Sequence, residues 1–478
     1  MTDRTALVTP TGSLSHKVVA LAWPVLAQQA LLFCVGVYDR FLAGQNVPAD
    51  RALHVATQAA QTNAGYLLWF VSNITLLVSV GSTALVARFV GARNQFEANQ
   101  ALHQSIMLAA ILGGAASVLG FLLIGPLITL LGLHGEAARF AVEFLQPILG
   151  LVMFQLVETA GVACLIGAGD TRTGPFVSGA VALLNIPFAW ALFHGFGPLP
   201  ALGFRGIGCG TAASHVIGCL VVLTVLARGR YGLKLRLAGF RPHLHMMYRL
   251  LRVSVPAAVD GLSVCAGQFW FLSLVNQIGD DATRNFTIAA HGHAIQWEAM
   301  GYLSGNAFGV AAMTLVGQNL GARRPAEAAR AGWVTLRLAG LFMCLMGAIF
   351  FTLAPQMLHL FSPGEHQRPV IELGVPVLRL VAFAMPALAC TNVFTAALRG
   401  AGDTRWPVLF SWIGFLGIRI PLAYFVTNDH LDLGPLGTLP GWNLGLFGAW
   451  LAMFADLYVR GGLFLARFAR GKWKETKV

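Results

Sequence analysis

Six acidic residues lie inside long apolar stretches of this sequence: Asp39, Glu143, Glu158, Asp260, Glu298 and Asp456. Placing an ionisable group in hydrocarbon costs about 2.5–3.5 kcal/mol on insertion scales, so each of these acids requires a partner or a function. A buried carboxylate without a fixed partner can hold a proton or another cation in one conformation and release it in the other. These residues therefore predict reversible cation binding.

The segments that carry the acids are apolar enough to cross a membrane. The 478 residues are 56% hydrophobic and 11% charged, with a mean hydropathy of +0.68, whereas soluble domains carry about a quarter charged residues. A helix needs about 20 apolar residues to cross a hydrocarbon core ~30 Å thick. We predict an all-α polytopic membrane protein with twelve transmembrane helices in two six-helix lobes, the spans lying near 17–44, 63–88, 103–131, 139–167, 174–194, 206–227, 253–278, 287–317, 332–354, 370–398, 406–427 and 445–467.

A basic segment separates the two sets of six spans. Residues 228–252 hold seven Arg or Lys residues and no acid, between an N-lobe, 1–227, and a C-lobe, 253–478. Because cytoplasmic loops are enriched in Lys and Arg, this linker and the basic tail place both termini in the cytoplasm. We expect a multi-pass protein of the cell inner (plasma) membrane without a removable signal peptide. The basic residues that give the net charge of +12 lie mainly in the predicted cytoplasmic loops. Nucleic-acid binding is therefore the weaker interpretation of this charge.

The two halves repeat one another. GAR at 91–93 matches 321–323, GAGDTR at 167–172 matches 400–405, and NIPFA at 185–189 matches RIPLA at 419–423. Since each unit holds six spans, an even number, the repeats are parallel and predict a central cavity between two lobes. For Asp170 and Asp403 in the GAGDTR segments we predict turn and helix-capping roles.

On these motifs the sequence resembles the multidrug and toxic compound extrusion (MATE) family over nearly its whole length. The most specific segments are LVGQNLGA at 315–322, the GAGDTR pair, RIPLAY at 419–424 and VYDRFLAG at 37–44. The resemblance implies a V-shaped, two-lobed antiporter that exports organic cations or drugs while H+ or Na+ runs inward. A departure is the long polar segment after span one, QNVPADRALHVATQAAQTN at 45–63.

The resemblance makes Asp39 the leading cation-coupling residue. The family's accompanying polar cluster maps onto Asn185, Ala189 and Ser214 in this sequence. Alanine at 189 means that the second acid of that cluster is missing, which puts sodium binding and the exact proton relay in doubt. The structural alternative for Asp39 is an outer-leaflet ion pair with Arg40.

Other polar residues are candidates for a substrate or second cation site: Asp260, Glu298, Gln296, Trp297, Tyr302 and Glu158. Asp260 follows Pro256 by four residues, so a kink opens backbone groups near its carboxylate. The rings beside Glu298 can contact a flat organic cation. The alternatives are a snorkelling Asp260, an interhelical hydrogen bond at Glu298, and a packed contact at Glu158 with Gln155.

Several further residues are predicted to be structural. Glu143 and Asp456 lie nearer span ends, and Arg379 and Arg419 are expected to pair with neighbouring helices because a positive charge repels a cationic substrate. His291 and His293 do not share a helix face, so metal binding is not expected, although proton sensing stays open.

Two other classes of function compete with antiport. A flippase for lipid-linked precursors would need basic residues in its cavity, and a membrane scaffold would have no reason to keep buried acids. The sequence contains no P-loop, HExxH or GxSxG motif, so we expect neither an enzyme nor a cofactor. H+ or Na+ is the expected coupling ion, and a monomer in the bilayer the expected assembly.

Overall fold

The computed structural model describes residues 13–45, 68–69, 71–130, 135–197, 200–279, 283–360, 368–432 and 438–476. The long polar segment after the first predicted span falls outside this part of the chain. Asp39 lies within the first helix, but its side chain is not among those that the structure describes.

The described chain is almost entirely helical. Its helices are α1 Leu14–Gln45, α2 Leu76–Gly91, α3 Gln95–Leu130, α4 Gly135–Gly150, α5 Val152–Ala168, α6 Thr173–His194, α7 Phe204–Arg228, α8 Leu244–Val275, α9 Arg284–Gly321, α10 Pro325–His359, α11 Arg368–Gly400, α12 Arg405–Trp412, α13 Ile420–Thr427 and α14 Gly445–Ala469. Two short antiparallel strands, β1 His430–Asp432 and β2 Thr438–Pro440, form a hairpin between α13 and α14.

Ten helical segments of the described residues are long and apolar enough to cross a membrane, and one bent pair adds an eleventh. A polytopic all-α membrane protein is therefore confirmed, while the exact number of twelve spans stays a prediction. Leu341, Leu345, Ile349 and Leu353 of α10 are all exposed at four-residue spacing, which is the aliphatic face that a helix presents to lipid.

Two predicted spans are interrupted. The fourth is broken into α4 and α5, which meet at 50°, next to Pro147 and Gly150, residues that weaken the helical hydrogen-bond ladder. The eleventh contains a π-helical turn, Ile413–Arg419, between α12 and α13. A Cβ on Gly414 in this turn would collide with the carboxylate of Asp456, so the wider turn brings backbone against a buried charge.

The interior consists of two apolar cores, one in each half of the chain. Helix α8 joins both, because Met246 and Leu250 pack in the first core and Phe271 and Leu274 in the second. Helix α1 packs against α6 and α9 and places Val18 in the second core. The two lobes are thus held together by helices that each contact both of them.

Repeat-matched residues build the crossing of α2 and α9. A Cβ on Gly91 would collide with the carbonyl oxygen of Gln318, and a Cβ on Gly321 with the carbonyl oxygen of Arg88. After each glycine the chain leaves the helix through an arginine in the left-handed region, Arg93 at φ 56° and Arg323 at φ 59°. The GAR motif is therefore a helix end shaped for close contact between the two halves.

Polar side chains at the same end of the molecule reinforce this crossing. Gln318 donates from Nε2 to the carbonyl oxygen of Gly167 at 3.0 Å, and Arg88 donates from Nη2 to the carbonyl oxygen of Ala401 at 3.0 Å. Each bond joins one lobe to the last turn of a helix in the other. The lobes are therefore closed against each other on the side that carries the GAR and GAGDTR segments, the basic side.

The predicted linker is shorter than expected, because α8 begins at Leu244 and takes in the final nine residues of the 228–252 segment. The rest is fastened to α3. Gln104 donates from Nε2 to the carbonyl oxygen of Arg241 at 2.8 Å and accepts from the amide of His243 at 3.0 Å. Asn99 accepts from the amide of Lys234 at 2.7 Å. The linker is an ordered strap on the N-lobe.

We expect Gln104→Ala to loosen this strap. The 1% exposed Gln104 side chain satisfies two backbone groups, and leaving them unpaired costs about 1–3 kcal/mol. Trypsin cleavage after Arg236 should become at least about fivefold faster, because cleavage tracks the population of the open segment. The control is Gln356→Ala, at an exposed glutamine of α10; equal cleavage of both variants would contradict the strap.

Candidate cation and substrate sites

A carboxylate and an imidazole meet near the middle of the N-lobe. Glu158 of α5 accepts a hydrogen bond at Oε2 from Nδ1 of His215 in α7, at 2.9 Å. The Glu158 side chain is 9% exposed and that of His215 22%. A Cβ on Gly218 would lie 2.9 Å from the carboxyl carbon of Glu158. The absence of a side chain at Gly218 therefore provides the space that the Glu158 carboxylate fills. The polar seam predicted at Glu158 is thus a specific ionisable pair.

The residues predicted to surround Asp39 lie at the packed interface of α6 and α7. Asn185 donates from Nδ2 to Oγ1 of Thr211 at 3.0 Å, and its Oδ1 is buried without a hydrogen-bond partner among the described residues. Ser214 donates to the carbonyl oxygen of Gly210 on its own helix at 2.7 Å. Oδ1 of Asn185 is therefore a buried acceptor that no hydrogen bond of the described residues uses.

In the C-lobe, Asp260 is buried and paired with an arginine. Its Oδ2 accepts from Nη2 of Arg399 at 2.6 Å, and its Oδ1 has no partner within the described chain. Asp260 therefore does not snorkel to the membrane surface. Arg399 lies in the last turn of helix α11, and its side chain is only 18% exposed.

Glu298 of α9 borders a small cavity between α9, α11 and α14, whose other lining residues are apolar, among them Leu380, Met385 and Trp450. Within the described residues Glu298 makes no hydrogen bond and no ion pair within 4 Å, although it interacts electrostatically with Arg419 and Arg460. Glu298 thus lies at the edge of a small cavity whose exposed lining is apolar.

The aromatic residues beside Glu298 lie in different surroundings. Tyr302, one helical turn further on, is 52% exposed and interacts electrostatically with Asp260, Arg399 and Glu298. Trp297 instead packs edge-to-face on Phe350 at a centroid distance of 6.4 Å, and Gln296 is half-buried. Asp260, Glu298 and Tyr302 therefore share one polar region of the C-lobe, and Trp297 belongs to the apolar core.

A second charge cluster lies deep in the C-lobe. Asp456 is fully buried in the middle of α14, which corrects the prediction that it lies near a span end. It accepts from Nη2 of Arg419 at 2.6 Å and from Nε of Arg460 at 2.6 Å. Both guanidinium groups lie over the ring of Phe415, at 4.2 and 4.7 Å from its centroid. The pairing predicted for Arg419 is confirmed.

Of the two GAGDTR aspartates, Asp170 caps a helix as predicted, and both are bound to arginines. Asp170 accepts from the amides of Arg172 and Thr173 at the start of α6, both at 3.1 Å, and from Arg230. The hydrogen bond that Arg230 donates to the Asp170 carboxylate raises the pKa of Arg230. Asp403 accepts from Nη2 of Arg467 at 2.7 Å. In each half, an acid after one helix is thus tied to an arginine at the end of a later helix.

Comparison with known proteins identifies the family. The family model MatE matches residues 24–191 and again 256–425, one match in each half. The chain belongs to the MATE family. It is 27% identical to the probable multidrug resistance protein NorM of Thermotoga maritima, over 97% of this chain and 94% of that protein. It is 26% identical to the multidrug resistance protein PmpM of Pseudomonas aeruginosa, over 91% and 89%. MATE proteins are multidrug efflux transporters, and the resemblance seen in the sequence is confirmed.

Solved structures of MATE transporters share this fold. A multidrug resistance MATE family transporter of the MOP superfamily, in its outward-facing conformation, matches with a TM-score of 0.85 and 20% identity, covering 98% of each chain. A MOP superfamily transporter from Pyrococcus furiosus, described as having a binding pocket of reversed polarity, matches equally, with a TM-score of 0.85 over 98% of each chain.

In this MATE chain, three partners of the buried acids were missed from the sequence. Arg460 follows Asp456 by four residues, a helical ion-pair spacing that was available as a signal. His215 and Arg399 gave no such signal, because they lie far along the chain from Glu158 and Asp260. Two residues predicted to be structural have such roles: Glu143 is in a partly exposed ion pair with Arg139 at 3.5 Å, and the buried His291 accepts at Nδ1 from Nε1 of Trp450 at 3.2 Å.

Proposed function

We propose that this MATE chain is an antiporter that exports organic cations or drugs by alternating access, driven by H+ or Na+, in the cell inner membrane with both termini cytoplasmic. The observation that carries the proposal is that each lobe holds a polar side-chain group without a hydrogen-bond partner among the described residues. Glu298 borders a cavity without a hydrogen-bond partner among the described residues, and Oδ1 of Asn185 is an unused acceptor in the N-lobe.

The substrate region that we propose is the C-lobe surface around Glu298, Tyr302 and Asp260. A carboxylate neutralises a cationic drug, while the half-exposed Tyr302 ring offers a face for cation–π contact, worth about 0.5–2 kcal/mol. Because Asp260 is already paired with Arg399, Glu298 is the acid of this region that we expect to bind the cation. Neither Gln296 nor the packed Trp297 is needed for this contact.

Alternating access follows from the crossing of α2 and α9. At Gly91 and Gly321 the backbones of the two helices touch and close the basic side. Because so close a contact is either fully formed or lost, it suits a transporter whose parallel repeats rock between two states. In this proposal the closed basic side faces the cytoplasm, so the structure is a state open toward the outside.

The flippase alternative lacks support in the described residues. A polyanionic head group needs uncommitted basic side chains, but Arg419 is 2% exposed and bound to Asp456. Arg379, the other candidate, lies over the Phe351 ring at 5.4 Å from its centroid.

The test is transport by purified protein in proteoliposomes. The vesicles are loaded with a fluorescent cation such as ethidium, and a proton gradient and then a sodium gradient are imposed. We expect one gradient to drive export, and Asp39→Asn to lower the gradient-driven rate at least about tenfold because the coupling charge is lost. Glu143→Gln, at a partly exposed ion pair, is the matched control. Export by neither gradient, or normal export by Asp39→Asn, would contradict the proposal.

A further inference from the structure

The buried acids of the described residues have partners of two kinds. Asp170, Asp260, Asp403 and Asp456 each pair with at least one arginine. Glu158, the fifth buried acid, pairs with His215. Arginine stays charged at every physiological pH, so the first four pairs are permanent, whereas histidine gains and loses its proton near neutrality. Among these five acids, only Glu158 has a partner that can change charge.

The pair lies at mid-membrane depth. Glu158 precedes the basic-side end of α5, Ala168, by ten residues, which is about 15 Å of helix and half of a ~30 Å hydrocarbon core. His215 lies near the centre of α7, which runs from Phe204 to Arg228. A charge at this depth cannot be screened by interfacial water, so its state affects what else can bind nearby.

Few other ionisable groups act on the pair. Cys219, one turn after His215, interacts electrostatically with Glu158. The neighbouring helices α2, α3 and α6 carry their ionisable groups toward their ends, at Arg88, Glu97, His103 and His194. On α4, Glu136, Arg139 and Glu143 pair with one another at the surface. On α9, Glu298 and Tyr302 interact electrostatically with C-lobe charges. Helix α1 contributes Asp39, whose side chain is outside the described residues.

We infer that Glu158 and His215 form the N-lobe proton site of this transporter, which exchanges one proton for one monovalent organic cation. A carboxylate can only accept, so Nδ1 of His215 donates to Glu158 and the exchangeable proton is the one on Nε2. With that proton the pair is an ion pair of zero net charge. When Nε2 releases it to water, the pair carries one negative charge, which an incoming cation neutralises. This inference rests on the proposed function and gives the N-lobe a proton-binding pair although position 189 is alanine.

The first measurement is infrared difference spectroscopy of the wild-type protein in detergent between pH 5 and pH 8. We expect imidazole and carboxylate bands in the wild-type spectrum that exceed those of His215→Arg, because arginine keeps the ion pair with Glu158 but releases no proton, while the other twelve histidines contribute to both spectra. His194→Gln, at an exposed histidine of α6, should keep the bands. Identical difference spectra for the wild type and His215→Arg would overturn the inference.

The second measurement uses the same variants in proteoliposomes and in solution. His215→Arg should match the wild-type thermal stability, yet lose proton release on ethidium addition and lower proton-driven ethidium export at least about tenfold. A merely structural pair would predict unchanged export in His215→Arg, and that result would also overturn the inference. Failure of the proposed function has a different signature: the wild type would export no cation under any gradient while the pH-dependent bands remained.

Discussion

Replacing Asp456 with alanine is expected to prevent stable folding. The variant leaves Arg419 and Arg460 buried, at 2% and 6% exposure, without the carboxylate that both of them bind. Removing one partner of a buried ion pair costs about 3–5 kcal/mol, which is a large part of the net stability of most folded proteins. In detergent, we expect Asp456→Ala to aggregate on size-exclusion chromatography or to melt far below the wild type.

Two further variants make this expectation specific. The triple replacement Arg419→Met, Asp456→Leu and Arg460→Met removes all three charges and should recover much of the lost stability, as apolar substitutes for buried ion pairs do. Glu372→Ala breaks the exposed pair with Arg368, in which both side chains are more than half exposed, and should leave the melting temperature nearly unchanged. A stable Asp456→Ala protein would show that the arginines find other partners.

A methyl group at the α2–α9 crossing is expected to open the basic side. In Gly321→Ala the new Cβ meets the carbonyl oxygen of Arg88, which is backbone and cannot rotate away. Overpacking of this kind costs about 1–3 kcal/mol, and a cost of about 1.4 kcal/mol changes the ratio of closed to open molecules tenfold. Because the clash exists only while the lobes are closed here, it favours the state that is open to the cytoplasm in our proposal.

Opening can be followed by labelling a buried position between the lobes. Thr314 is fully buried and donates to the carbonyl oxygen of Ile166 in the other lobe at 3.3 Å, so Thr314→Cys introduces a thiol of similar size. Gly321→Ala or Gly91→Ala should raise its maleimide labelling at least about tenfold, measured by peptide mass spectrometry. Gly340→Ala, where an added Cβ meets nothing within 4 Å, should leave labelling unchanged. Equal labelling in all variants would show that the crossing is not the gate.

The roles of the GAR and GAGDTR segments could be predicted from the sequence, whereas the partners of the buried acids could not. The motifs act locally, through helix ends, tight turns and close backbone contact, and local geometry depends on residues a few positions apart. Their matched roles were therefore predictable: Asp170 caps the start of α6, and Gly91 and Gly321 occupy equivalent places in one crossing. The roles of Glu158 and Asp260 were not predictable, because their partners lie 57 and 139 residues away.

The π-helical turn explains why the partner of Arg419, Asp456, could not be named from the sequence. Regular helical spacing through span eleven gave no reason to expect Arg419 beside Asp456. The wider turn at Ile413–Arg419 is possible because Gly414 has no side chain, and it brings this backbone against the Asp456 and Arg460 side chains. A sequence pattern that assumes 3.6 residues per turn cannot place side chains beyond such an insertion.

The sequence by itself determined that this chain is a membrane protein of repeated helical halves and that it belongs among the MATE transporters, because hydropathy and short glycine-rich motifs are properties of neighbouring residues. Only the tertiary structure decided which buried acids are permanently neutralised by arginine and which one is held by a histidine. The physical reason is that the charge state of a buried carboxylate depends on the group within about 3 Å of it, and packing between distant helices chooses that group.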